Sequence, residues 1–434
     1  MPIGWSSFQD HAMQHFHYVD AQLCCEEVVL AEVAASVATP FYLYSRRTYR
    51  ENFAGIDAAF GDHPHRICYA LKANSNPHVL RDFAALGAGA DVVSVGELAL
   101  ARQAGIAADR IVFAGVGKRD DEIIAGLQAG IRGFNVESEA ELAVINALAR
   151  QHDRVAPVAL RVNPNIDIHG HPYISTGRQA DKFGVELPRA QALLGRLHEF
   201  PHVRLVGLHM HIGSQITETA PFAAVGRAMA ELARQALALG HRLEYLDVGG
   251  GLGVIYENVI PLAAQTAPTA GLALAPAQVA ELLLSPLRSF GCEILFEPGR
   301  ALVATSGVLV TRVLYVKETQ GRKFLVVDAG MSELIRPSLY QAHHQIVPLR
   351  FTAAAPEKYD VVGPICESGD FLAKERNLPA VQRGDLLAVM TAGAYGFSLS
   401  SNYNARPRPA EVIVDGREIL LSRPRERLDQ IWVA

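Results

Sequence analysis

The chain has 434 residues, half of them apolar and a fifth charged. That is too long for one ordinary core and enough for two domains, and the composition excludes a disordered or fibrous chain. With 40 basic and 45 acidic residues the formal net charge is −5, so the basic footprint of a nucleic-acid binder is missing.

No apolar run is long enough to span a bilayer, and residues 1–20 show no basic stretch followed by an apolar one, so no membrane partner and no secretory signal are expected. The five cysteines, Cys24, Cys25, Cys68, Cys292 and Cys366, are odd in number and form no C-x-x-C pair. Reduced thiols in a cytoplasmic protein are the expectation. His11, His15 and His17 read as part of a polar, solvated tail; the i, i+4 pair His11 and His15 would suit a metal only on a helix. The His-x-His pairs at 169/171 and 209/211 have no third ligand at a recognisable spacing, so no metal site is predicted.

In chain order, short apolar runs then alternate with helical patterns between residues 66 and 297. The predicted strands are "RICYAL" (66–71), "GADVVS" (89–94), "RIVFAG" (110–115), "GFNVES" (133–138), "PVALRVN" (157–163), "RLVGLHMHIG" (204–213), "LEYLDVGGG" (243–251) and "CEILFEP" (292–298). Their nearly continuous apolar interiors suit parallel strands covered on both faces. Between them, "DDEIIAGLQAG" opens on acidic residues and stops at Gly130, and "SEAELAVINALARQ" opens on a capping box of Ser138 and Glu141. "AMAELARQALALG" ends at Gly240. Eight such units predict a (β/α)8 TIM barrel over residues 46–298, with a doubly wound open sheet as the competing arrangement.

After residue 300 the rhythm changes. "GVLVTRVLYVKE", "KFLVVDAG", "YDVVGPIC", "DLLAVMTAGAYG" and "AEVIVDGREILL" read as strands, and Asp415-Gly416 as a hairpin turn. These predict an all-β domain over 299–434, completed by residues 1–45 through "PFYLYS". The Ala-, Pro- and Thr-rich stretch 261–278 reads as an insertion before the eighth strand.

In such barrels the reacting groups stand at the carboxyl ends of the strands. The first strand ends in Lys72. The sixth ends in His211, Gly213 and Ser214, the seventh in Asp247 and Gly249-Gly250-Gly251, and the eighth in Glu297-Pro298-Gly299-Arg300. Taken singly, each has a plain structural reading: a paired lysine, a structural histidine, a helix-capping serine, a tight glycine turn, a salt-bridged glutamate. "GGGLG" does not extend to G-x-G-x-x-G, because residue 254 is valine, and no Walker A sequence occurs. Taken together, an imine-forming amine, a stacking imidazole, a phosphate cradle and a carboxylate for a pyridinium nitrogen match what pyridoxal phosphate requires.

The chain resembles the fold-type III pyridoxal-phosphate decarboxylases, and within them the diaminopimelate decarboxylase family. The resemblance lies in "YALKANSN", "GADVVSVGELALA", "NVESEAEL", "ISTGRQADKFGV", "HIGSQI", "LDVGGGLG", "FEPGRALVATSG", "VDAGMSELIRPSLY", "VVGPICESGDFLA" and "GAYGFSLSSNYNARPRPAEV", from about Phe16 to about residue 420. Two departures stand out: Val95 replaces a usual glycine before "GEL", and residues 254–285 are unusually apolar.

The resemblance implies an alanine-racemase-like barrel, a β-sandwich or Greek-key β domain, and a head-to-tail homodimer that shares its active sites. It implies that Lys72 carries pyridoxal 5′-phosphate as a Schiff base and that His211 stacks on the ring. Ser214, Gly250, Gly251, Gly299, Arg300 and Tyr395 would hold the phosphate, and Glu297 would meet the pyridine nitrogen. Arg300, Arg336, Tyr340, Glu367 and Tyr395 would bind substrate. Cys366, reaching across the dimer, would donate a proton. The implied reaction is decarboxylation of meso-2,6-diaminopimelate to L-lysine, the last step of lysine biosynthesis.

Elementary chemistry agrees with these roles. A carboxylate at Glu297 favours the protonated ring and so a strong electron sink, which suits a decarboxylase better than a racemase. Burial of Lys72 would help its amine become neutral. A distal carboxylate on the substrate asks for an arginine such as Arg336. The alternatives are a decarboxylase of the same fold acting on ornithine, arginine or a carboxylated polyamine, and a non-catalytic pyridoxal-phosphate carrier.

Overall fold

The computed structural model describes residues 15–166, 177, 181–260 and 271–432. The chain divides into two compact units. One comprises Phe53–Gly253 with Ala273–Ala301, the other Met1–Asn52 with Val254–Leu272 and Leu302–Ala434. The seams differ from the expected ones: 46–52 and 254–272 go with the β unit, and 299–301 with the barrel.

The first unit is a closed parallel barrel. Its strands are His65–Ala70, Gly89–Val92, Ile111–Phe113, Gly133–Val136, Ala156–Asn163, Val203–His209, Tyr245–Asp247 and Glu293–Phe296. Each pairs with the next, and Glu293–Phe296 pairs with His65–Ala70 to close the ring. The competing open sheet is thereby ruled out. Most strands stop short of their predicted carboxyl ends: at Asp247, for example, the chain leaves the ladder and enters the glycine run.

Cys68, Val112, Ala159, Val206, Tyr245 and Leu295 fill the barrel. Tyr245 is the large member of this layer and forces glycine around it. A Cβ on Gly207 would lie 2.5 Å from its ring, and one on Gly133 2.4 Å from its hydroxyl.

The helices end where the sequence indicates. Asp120–Ala129 stops at Gly130, which adopts φ +69. Glu139–Gln151 is capped by Ser138, whose hydroxyl accepts from the Glu141 amide. The expected capping box is only half formed. The Glu141 carboxylate instead accepts from the Glu137 amide at 2.6 Å and from Lys118 at 2.7 Å. Among the described residues no helix is long and apolar enough to cross a membrane.

The second unit is built on a nine-stranded sheet. Phe41–Ser45 lies in its interior, antiparallel to Gly307–Thr319 and parallel to Ala410–Asp415. Ala410–Asp415 and Glu418–Arg423 form the expected hairpin, with Gly416 at φ +61. Phe371–Pro379, a strand the sequence conceals, lies at the opposite edge. Its mixed burial shows why: it has no clean two-residue alternation.

Of the stretch 261–278, residues 271–278 are described, and the helix Pro276–Leu287 of the barrel unit begins there. Val259 and Ile260 are buried in the β unit's core with Phe41, Leu43, Val308 and Val412. Gln345 fixes this stretch through two hydrogen bonds to the Ile260 backbone, at 2.9 and 2.7 Å. Residues 261–270, His11, and the 169/171 histidine pair lie outside the described residues. His17 stands in the strand Phe16–Val19 and His15 pairs with Glu51, so neither sits on a helix as a metal site there would need.

Candidate active site

Lys72 does not end the first strand but sits in the single turn Leu71–Ala73 that follows it. The polar residues after it are structural. Asn74 Oδ1 accepts from the Asn76 amide, and Asn76 caps the helix Pro77–Ala85 by accepting from His78. Together they turn the chain sharply and leave the lysine projecting. Its side chain is 41% exposed, so the expected burial of the amine is not found. Its Nζ lies 3.2 Å from Asp91 Oδ2, a carboxylate at the end of the second strand. Burial and the Glu297 charge push the Asp91 carboxyl up, against the pull of Lys72.

Glu297 follows the eighth strand and is buried. Its Oε2 lies 3.2 Å from His209 Nε2 and its Oε1 3.4 Å from Asn135 Nδ2. Ligand atoms of His209, Asp247 and Glu297 all lie within 4.8 Å of one another. Two carboxylates so close do not both ionise. Burial and the neighbouring Glu297 push Asp247 well up. Burial would raise Glu297 too, but His209 overcomes it by charge and hydrogen bond and holds the carboxyl well below its usual range. Of the two, Glu297 is thus the carboxyl favoured to ionise, with hydrogen bonds from His209 and Asn135, and Asp247 the one favoured to hold a proton.

His211 accepts from the Gly250 amide at Nδ1, 3.1 Å away, which leaves the proton on Nε2. Lost hydration, with Lys72 and Arg161 nearby, puts its pKa well below the ordinary value, so the imidazole is neutral. The glycine run is dictated by close backbone approach. A Cβ on Gly250 would sit 2.1 Å from the Glu297 carbonyl oxygen, and one on Gly251 2.4 Å from that of Gly213. The Gly250 amide is therefore committed to His211. Ser214 Oγ accepts from Arg300 Nη2 at 3.0 Å and Nε at 3.3 Å, which fixes both side chains. Gly299 packs against Ala73, where a Cβ would stand 3.0 Å from that of the alanine.

The barrel unit therefore brings together Lys72, His211, Ser214, Gly250, Gly251, Glu297, Gly299 and Arg300. The sequence reading missed Asp91, Asn135 and the role of His209. The available signal was a polar residue inside an apolar strand, since all three are buried.

The remaining predicted residues belong to the β unit. Arg336 opens the short helix Arg336–Tyr340, with Tyr340 as its last residue. Tyr395 holds a left-handed backbone at φ +55, a conformation costly for a non-glycine residue. Cys366 is exposed, whereas Cys24, Cys25, Cys68 and Cys292 are buried, and all five are free thiols. The loop bearing Cys366 and Glu367 is organised by Asp370, which accepts from the Ile365 and Met331 amides, each at 2.6 Å. The Cys366 amide donates to Asn404 at 3.3 Å, and Glu367 hydrogen-bonds Tyr403 and raises its hydroxyl pKa.

Residues 46–304 match the family model described as pyridoxal-dependent decarboxylase, pyridoxal binding domain. The diaminopimelate decarboxylase of Vibrio cholerae is 46% identical over 422 residues, covering 97% of this chain and 98% of that one. That of Aquifex aeolicus is 43% identical, covering 96% of each. The crystal structure of the Helicobacter pylori diaminopimelate decarboxylase complexed with L-lysine superposes with a TM-score of 0.86 at 40% identity, over 93% of this chain and 98% of that one. An amine, a neutral imidazole and an ionised carboxylate at one barrel mouth, with likeness over nearly the full length, lead to one assignment: the chain belongs to the pyridoxal-dependent decarboxylases, and within them to the diaminopimelate decarboxylases.

Proposed function

We propose that the chain is a pyridoxal-phosphate-dependent carboxy-lyase that removes CO2 from meso-2,6-diaminopimelate and yields L-lysine. The observation that carries this reading is the full-length likeness to the Vibrio cholerae diaminopimelate decarboxylase.

The residues fit the cofactor. The Glu297 carboxyl is held below its usual range and so offers the charge a pyridinium N–H would need, while the neighbouring Asp247 is pushed up, toward its neutral form. When bound, pyridoxal phosphate supplies the sink for the electron pair left as CO2 departs. The chain's own groups do the rest. Lys72 would hold the cofactor through its amine, which Asp91 accepts from when it is free. Glu297 would keep the ring nitrogen protonated, and the neutral imidazole of His211 would face the ring. Ser214, Gly250, Gly251, Gly299, Arg300 and Tyr395 would hold the phosphate, with the Gly250 contribution made through His211 and backbone shape.

Arg300, Arg336, Tyr340, Glu367 and Tyr395 bind the substrate, and the arginines take its distal carboxylate by paired hydrogen bonds. Cys366 of the partner subunit, in a homodimer with shared sites, returns a proton to the carbon that lost CO2. The exposure of Cys366 supports this assignment, because a core cysteine has no such access. The free thiols suit a cytoplasmic setting.

Purified protein supplied with pyridoxal phosphate and assayed for CO2 release decides the substrate. Diaminopimelate is expected to turn over faster than ornithine, arginine or lysine, and faster turnover of ornithine overturns the choice. Borohydride should fix the cofactor on Lys72, and a modified peptide elsewhere refutes that role.

A further inference from the structure

Arg336 is 5% exposed and His344 is wholly buried. Arg336 Nη1 lies 2.8 Å from His344 Nε2, and His344 Nδ1 lies 2.8 Å from the Met390 carbonyl oxygen. A carbonyl only accepts, so Nδ1 carries the imidazole proton. Nε2 is then a lone pair, and the guanidinium donates to it. The second wall is Tyr256. Its ring centroid lies 4.7 Å from the guanidinium carbon and 5.1 Å from the His344 ring, which meets it edge-on at 77°.

Tyr256 belongs to the stretch that enters the β unit after the glycine run, and Gln345, next to His344, binds the Ile260 backbone of that same stretch. One local assembly therefore holds both walls against the arginine.

The chemistry of these walls is specific. A carboxylate at Nη1 would neutralise the guanidinium and compete with any anionic ligand. A neutral imidazole instead fixes the direction of the fork, and an aromatic face braces it from below. We propose that His344, in its Nδ1–H form, and Tyr256 are positioning residues that aim Arg336 at the substrate's distal carboxylate, and so set the preference for a ligand bearing that group. The inference rests on the reading that Arg336 grips this carboxylate.

The test uses L-lysine and cadaverine, two diamines that differ by one carboxylate, as inhibitors of the full-length holoenzyme. His344→Leu should weaken L-lysine inhibition by about tenfold or more and leave cadaverine within about twofold, with a matching rise in KM for diaminopimelate. His344→Gln, which keeps an acceptor near Nε2, should recover most of the loss. Tyr256→Leu should show the same contrast in weaker form, and it serves if His344→Leu does not fold. Loss of both inhibitors alike, or of neither, overturns the proposal. Arg336→Met separates the two layers of the argument. If it spares L-lysine inhibition, the reading of Arg336 itself fails. If it abolishes that inhibition while the His344 and Tyr256 variants do not, only the positioning role fails.

Discussion

Glu297 Oε2 lies 3.2 Å from His209 Nε2, and both side chains are almost wholly shielded from solvent. A hydrogen bond to a buried charge is worth roughly 1.5–3 kcal/mol, so His209 is a main reason that Glu297 stays ionised there. His209→Leu should lower kcat by about 10- to 100-fold and weaken cofactor binding, read by the absorbance of the bound chromophore. Glu297→Gln should cost more, on the order of 100-fold or greater, because it removes the charge itself. An unchanged spectrum and rate in both variants would refute this account of the barrel interior.

Glu97 gives a prediction about pH. Burial pushes its carboxyl from 4.5 up to about 7, against the Val93 amide that donates to it at 2.8 Å. A raised carboxyl binds its proton more tightly in the folded state. Its contribution to stability is therefore complete below pH 4.5 and is lost as pH rises through about 7. Glu97→Gln cannot ionise and keeps an acceptor for Val93. Its stability relative to the parent should rise by about 1–3 kcal/mol between pH 4.5 and 8, measured by urea unfolding. A difference independent of pH would contradict the assigned shift.

Thiol chemistry tests the placement of Cys366. The other four cysteines are buried, so one thiol should react with iodoacetamide in the native protein and five after unfolding. Peptide mapping should locate the native label at Cys366. Labelling should abolish decarboxylation, and prior addition of L-lysine should slow it. Rapid native modification of Cys24 or Cys68 would contradict their burial.

Gly250 permits no side chain. The Cβ of an alanine would lie 2.1 Å from the Glu297 carbonyl oxygen, and backbone just after the eighth strand cannot yield as a flexible side chain does. Gly250→Ala should lower stability by roughly 2–4 kcal/mol and displace both Glu297 and His211. Loss of cofactor affinity should exceed the loss in Gly195→Ala, since Gly195 lies in the helix Leu187–Arg196 with nothing within 4 Å of its Cβ position. Equal effects would mean that the glycine run is an ordinary turn.

The barrel was legible because parallel strands covered on both faces are nearly continuous apolar runs, and all eight appear where such runs occur. Their ends were read too far, because the residues that leave the ladder, such as those at 248–251, are as apolar or small as those within it. Lys72, His211 and Glu297 were legible as polar groups at those ends. Asp91, Asn135 and His209 were not singled out, since each is one polar residue in a strand, and only three-dimensional closure brings them to the same interior. Phe371–Pro379 escaped for the opposite reason: an edge strand with partly exposed sides carries too weak an alternation to be told from a loop. The walls around Arg336 were also hidden, because residues 256, 336 and 344 become neighbours only after the chain has folded.

The strand Phe41–Ser45 needs two partners, Gly307–Thr319 on one side and Ala410–Asp415 on the other. On the ribosome it emerges long before either. At about 5–20 residues per second it waits tens of seconds for the second partner to be made. In that interval the whole barrel, Phe53–Gly253 with Ala273–Ala301, leaves the exit tunnel and is free to fold. An apolar strand with five consecutive buried residues, none of them paired, must meanwhile be kept from sticking to other chains. The order of synthesis thus makes this short segment a natural client for chaperones. A nascent chain arrested before residue 410 should be recovered with a finished barrel and an unfinished sheet.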